Sequence, residues 1–230
     1  MQRTRYFLLF TTILLVQNVS FGQSRQRWSV GPRLGLNLTN FTGVVGPTIT
    51  ADSRTNQLFP GLSAGVGFMY SDMSRFGFAA DVLYSQRGSH NAYGDQSLNY
   101  RINYLEVPIT ARYFLTKSGN FRPNIYGGVV PALYLSHATI VKGGSIDVIP
   151  EPTNPYRIAD VGLTAGFQAN FRTGASQRFT LDARYTYGIT ALSKLNNDLR
   201  NQMITVGLGY NFGIGREYQP GDRKLPIRNR

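Results

Sequence analysis

The sequence predicts an all-β fold, an eight-stranded antiparallel transmembrane up-and-down β-barrel, on three observations. Apolar and polar residues alternate through eight segments of about 10 to 14 residues. That meets the roughly 9 to 11 residues of a tilted membrane strand and exceeds the usual soluble strand of about 5 to 6. Every acid and every arginine inside those segments falls on one parity, and short connections alternate with long ones. Composition agrees: 230 residues with 25 glycines, 14 Tyr, 14 Phe, 16% charged residues and no cysteine suit one β domain better than a helical or disulfide-stapled protein.

The chain opens with Arg3 and Arg5, the apolar run "FLLFTTILLV" and small residues at Ser20 and Gly22. This reads as a cleaved signal peptide over residues 1–22, with the mature chain starting at Gln23. The run is too short for a spanning helix, which needs about 20 residues. Nothing later in the sequence is apolar for that length, so a membrane-embedded chain must be a closed barrel.

Successive strand side chains point to opposite faces. In "VGPRLGLNLTN", Val30, Leu34, Leu36 and Leu38 oppose Arg33, Gly35, Asn37 and Thr39. "GLSAGVGFMY" sets Leu62, Ala64, Val66, Phe68 and Tyr70 against Ser63 and three glycines, and "FGFAADVLYSQR" sets Phe76, Phe78, Ala80, Val82 and Tyr84 against Asp81 and Arg87. In "NYLEVPITARYF", Leu105, Val107, Ile109, Ala111 and Tyr113 oppose Glu106 and Arg112. "NIYGGVVPALYL" follows with Ile125, Val129, Leu133 and Leu135 against Tyr126, Gly128 and Tyr134. "ADVGLTAGFQANF" places Asp160 opposite Val161, Leu163 and Phe167. Phe179, Leu181, Ala183, Tyr185 and Tyr187 then oppose Asp182 and Arg184. The last segment sets Ile204, Val206, Leu208, Tyr210 and Phe212 against Met203, Thr205, Gly207, Gly209 and Asn211.

A soluble sheet would carry solvent lysines on its strands, and these segments carry none. The charged parity is instead rich in glycine, as expected if it lines a narrow lumen where Arg and Tyr need small neighbours. Arg33, Asp81, Arg87, Glu106, Arg112, Asp160, Asp182 and Arg184 are therefore expected to form a lumenal network of ion pairs and hydrogen bonds that plugs the barrel, because a lone buried charge is costly. Tyr70, Phe76, Tyr113, Phe171, Phe179 and Phe212 are expected in one interfacial girdle, and Tyr84, Tyr104, Tyr134 and Tyr187 in the other.

"SDMSR", "TKSGNFR" and "RTGASQ" are short, whereas Thr42 to Leu58, Gly88 to Tyr100, His137 to Arg157 and Thr190 to Arg200 are long and polar. Outer-membrane barrels show this asymmetry, with short periplasmic turns, long extracellular loops and, for an even strand count, both ends periplasmic. The barrel is expected over residues 23–212 and a basic periplasmic tail over residues 213–230, where Arg216, Arg223, Lys224, Arg228 and Arg230 outweigh Glu217 and Asp222.

The order of "GPRLGLNLTNF", "DVLYSQRG", "NYLEVPITARYF", "IYGGVVPALYL" and "VGLGYNF" resembles the PorT-like outer-membrane β-barrel family over Val30 to Phe212. The resemblance implies a Gram-negative outer-membrane location and, through one branch of the family, an accessory part in protein secretion across that membrane. "TVGLGYNF" also looks like the signal read by the barrel-assembly machinery, through Thr205, Gly207, Tyr210 and Phe212. The chain departs from the usual pattern by running on past the last aromatic.

The charge of +12 could suggest nucleic acid, but the cations are scattered through turns, loops, inward positions and the tail, which argues against that partner. The expected partners are outer-membrane lipid, the assembly machinery and either a surface ligand or a secretion machine. No catalytic, metal or cofactor constellation is expected: the two histidines are His90 and His137, and Ser136 beside His137 would point to the opposite face. A narrow pore and a soluble lipocalin-like carrier, whose apolar parity would line a ligand cavity, are the competing readings.

Overall fold

The computed structural model describes residues 28–42, 55–71, 75–93, 96–117, 119–142, 156–174, 176–192 and 199–214. The expected leader and most of the tail lie outside them. The strands are β1 (Trp28–Thr42), β2 (Thr55–Gln57), β3 (Phe59–Ser71), β4 (Phe76–Tyr93), β5 (Gln96–Glu106), β6 (Ile109–Phe114), β7 (Asn124–Lys142), β8 (Ala159–Arg172), β9 (Gln177–Gly188) and β10 (Arg200–Ile214).

All pairings are antiparallel, and β1 pairs with both β3 and β10, which closes the sheet on itself. These ten strands form eight staves, because β2 and β3 both pair with β4, and β5 and β6 both lie between β4 and β7. The fold class is the one the alternation predicts.

Three details depart from the expectation. "NYLEVPITARYF" is not one strand: it breaks at Val107 and Pro108, because proline has no N–H to give to a ladder. The break stays tied to its neighbours, with Val107 N donating to Pro131 O at 2.9 Å and Asp81 N to Pro108 O at 3.1 Å. The span Gly88 to Tyr100 is not a loop but a hairpin extension, whose ladder runs to Tyr93 and Gln96 and leaves two residues, Gly94 and Asp95, between the strands. Two-residue links containing Gly and Asp favour hairpins, and a ladder beyond the membrane needs no apolar face. Finally, β7 reaches Lys142 and β10 reaches Ile214, beyond the segment ends read from alternation.

The faces settle which way the barrel is turned. Leu34 and Leu36 are 61% and 62% exposed on the outside, while Arg87 and Glu106 are 1% and 0% exposed inside. The turn-side aromatics pair around the rim: Trp28 with Tyr70 at 4.9 Å, Phe76 with Tyr113 at 5.3 Å and Tyr210 with Phe212 at 5.0 Å between ring centroids. Tyr104 is a correction, since it is fully buried in the lumen rather than in the loop-side girdle. Its parity, shared with Glu106, already pointed inward.

Candidate functional site: the charged lumen

The inward side chains form tiers along the barrel. Nearest the long connections, Arg87 on β4 donates from Nε to Glu106 Oε1 on β5 and from Nη1 to Asp160 Oδ2 on β8, both at 2.7 Å. Its guanidinium lies 4.8 Å from the Tyr104 ring centroid, and Thr190 donates its hydroxyl to the other oxygen of Asp160. Each carboxylate thus receives a charge-assisted bond, which offsets part of the cost of burying it. An apolar cluster of Phe41, Ile102, Tyr104, Ala132, Tyr156, Leu192 and Leu199 covers this tier, drawing Tyr156, Leu192 and Leu199 from the long connections.

The middle of the lumen is held by neutral polar groups. Asn37 on β1 donates to Ser85 Oγ at 3.0 Å and to Gln86 O at 3.1 Å, and accepts from Thr205 Oγ1 at 2.9 Å. One side chain therefore links β1, β4 and β10 across the interior.

Below it, Arg33 donates from Nη2 to Asn211 Oδ1 at 2.6 Å, and its Nε lies 3.7 Å from Asp81 Oδ1. Gly67 and Gly209 leave the space for this guanidinium: a Cβ at Gly67 would come within 2.5 Å of Arg33 Nε, and one at Gly209 within 2.5 Å of Arg33 Nη1. Arg112 donates from Nη1 to Gln168 Oε1 at 2.7 Å and lies 4.4 Å from the Tyr126 ring centroid. Tyr126 donates its hydroxyl to Asp182 Oδ2 at 2.7 Å. Arg184 faces a cavity of about 20 Å³ together with Arg33, Asp81, Thr180 and Asp182. A cavity of that size holds about one water. Arg184 Nε and Thr180 Oγ1, both buried, make no protein hydrogen bond there.

The turn-side end is closed by Met69, Ala79 and Phe114, with the Arg122 guanidinium 3.9 Å over the Phe114 ring. Gly119 in the same connection has φ +120°, a conformation that suits glycine.

All eight sequence-derived charges point inward, but only five of them meet in ion pairs among the described residues: Arg87 with Glu106 and Asp160, and Arg33 with Asp81. Arg112 and Asp182 take neutral partners instead. Asn37, Tyr126, Gln168 and Asn211 join the network without belonging to the eight expected charges, and each lies on the inward parity. In β10, Thr205 and Gly207 face the lumen, whereas Tyr210 and Phe212 face out at the turn-side rim.

The possible nucleophile and base do not meet. Ser136 Oγ accepts from Asn103 Nδ2 at 2.8 Å, while His137 Nδ1 pairs with the Tyr134 hydroxyl at 2.5 Å and His90 pairs with Asn99. Among the described residues no group of three or more His, Cys, Asp or Glu side chains has metal-binding geometry.

Comparison with known proteins places this architecture. The family described as outer membrane protein beta-barrel domain matches residues 21–194. The structure of the outer membrane protein OprG from Pseudomonas aeruginosa is similar at 10% identity and a TM-score of 0.51, covering 84% of this chain and 99% of that one. Neisserial surface protein A is similar at 12% identity and a TM-score of 0.45, covering 81% and 97%. No curated protein matches the sequence.

Proposed function

The chain belongs to the outer membrane protein beta-barrel domain family, and on that premise we propose that it is a structural or surface-interaction protein of the Gram-negative outer membrane, with a lumen plugged by its own side chains. The observation that carries this reading is Arg87 tied to Glu106 and Asp160 at 2.7 Å beneath an apolar cap. Eight strands leave an interior that side chains can fill. The network supports a plug more than a narrow pore, because opening a path would strand buried charges.

On this reading the long connections face outward and meet a partner, and both ends of the chain lie in the periplasm. The barrel-assembly machinery engages β10 through Thr205, Gly207, Tyr210 and Phe212, and the protein catalyses no reaction. A lipocalin-like carrier would need its apolar residues inside, whereas Leu34, Leu36, Leu62 and Val206 all lie exposed on the outer wall.

The resemblance of the ordered motifs to the PorT-like family supports a second reading, an accessory component of secretion. Deleting residues 143–155 separates the two: loss of surface binding with secretion intact supports the first, and loss of secretion supports the second. Planar-bilayer recordings of the purified protein test the plug, with no conductance steps expected and stable open channels contradicting it.

A further inference from the structure

We propose that the turn-side end of the barrel holds one anionic phospholipid, its phosphate at Arg75 and one acyl chain in a groove on the outer wall across β4, β6 and β7.

The groove has a volume of about 270 Å³ and is lined on the lipid side by Phe76, Ala111, Tyr113, Ile125 and Gly127. Register explains its shape. Tyr113 lies opposite Phe76 and Ile125, which makes a row of large side chains. One step along the strands Ala111 lies opposite Gly127, and the wall drops. An acyl chain restores the contacts that these two positions lack.

Arg75 immediately precedes Phe76 and stands exposed at the end of this groove. Its Nη1 donates to the Tyr113 hydroxyl at 3.0 Å, and its guanidinium carbon lies 6.0 Å from the Tyr113 ring centroid. That position is just beyond the aromatic rim, the level at which phosphates sit. A guanidinium there offers charge-assisted bonds to a phosphate without leaving its aromatic neighbour.

Charge distribution supports the same ligand independently. The turn-side connections, residues 72–75, 115–123 and 173–176, carry three cations, Arg75, Lys117 and Arg122, against the single acid Asp72. The connections at the other end, residues 43–54, 94–95, 143–158 and 189–199, carry three cations against five acids. The barrel is therefore polarised, with its positive end beside the groove. A lipid fits both halves of the site. A protein segment in the groove would have to bury unsatisfied backbone groups in hydrocarbon.

The inference deepens the proposed orientation, which puts Arg75 in the phospholipid leaflet, but lipid retention by the purified barrel does not depend on orientation or on what the loops bind. The test titrates the folded full-length protein in detergent with phosphatidylglycerol and with phosphatidylcholine of the same chains, read by native mass spectrometry. One phosphatidylglycerol is expected to be retained, roughly fivefold more strongly than phosphatidylcholine, the preference that one surface cation supplies. Arg75→Gln should remove the preference. Gly127→Leu should weaken retention of both lipids, since a Cβ there meets only Thr164 O at an ordinary 3.6 Å and the longer side chain fills the groove. Ala111→Leu provides the same test if the first variant does not fold. Ala183→Leu, exposed on the outer wall away from the groove, should change nothing. Equal retention of the two lipids by the unaltered protein, or unchanged retention in the groove variants, overturns the proposal. So would dimers that disappear in those variants, which would seat a second copy of the barrel there.

Discussion

Arg87 on β4 donates from Nη1 to Asp160 Oδ2 on β8 at 2.7 Å, joining two staves that share no ladder. Backbone pairing alone connects each stave to its two neighbours, so this contact makes the lumen a brace across the barrel as well as a filling.

Arg87→Ala is therefore expected to cost about 3 to 5 kcal/mol, because it strands Glu106 and Asp160 as buried carboxylates without their cation. The triple change Arg87→Met, Glu106→Gln and Asp160→Asn removes all three charges together and should recover most of that loss. Urea unfolding in lipid bilayers measures both. A single substitution as mild as the triple one would mean that water enters this tier and solvates the carboxylates.

The second brace pairs Tyr126 on β7 with Asp182 on β9 at 2.7 Å. Tyr126→Phe removes the donor, keeps the ring under Arg112, and should cost roughly 1 to 3 kcal/mol through the unsatisfied acceptor. In a double-mutant cycle with Asp182→Ala the costs should be non-additive, since each change removes one partner of the same bond.

Gly67 faces both members of the Arg33 and Asp81 pair, and a Cβ there would lie 2.4 Å from Asp81 Oδ1. Gly67→Ala should destabilise by about 1 to 3 kcal/mol through overpacking. Adding Arg33→Ala to it empties the space and should reduce the packing part of the loss, which the same unfolding assay resolves by comparison with Arg33→Ala alone.

Much of the fold is readable from period-two alternation, because membrane strands put apolar and polar residues on opposite faces over a long span. Asp81 and Glu106, on the parity opposite the exposed leucines, are buried for that reason. Parity does not give depth or position around the barrel. Arg112 therefore meets Gln168 and not a carboxylate, and Asp182 meets Tyr126. The hairpin extension past Gly88 was hidden for a different reason: beyond the membrane both faces are polar, so strand and loop look alike. Tyr104 was misplaced by its residue type, since tyrosines mark interfaces but also stack on buried guanidinium groups.

The most direct test of the central claim, that the apolar parity faces lipid and the charged parity fills the lumen, is the cost of Val206→Arg against Val206→Leu in a reversible bilayer-folding assay. Val206 stands 58% exposed on the outer wall, between Leu36 and Ala183 on the neighbouring strands. With this position facing lipid, the arginine should cost about 2 to 4 kcal/mol, the midplane value, and the leucine little. Folding of the arginine variant at no cost, or folding of the protein without lipid or detergent, would contradict the claim.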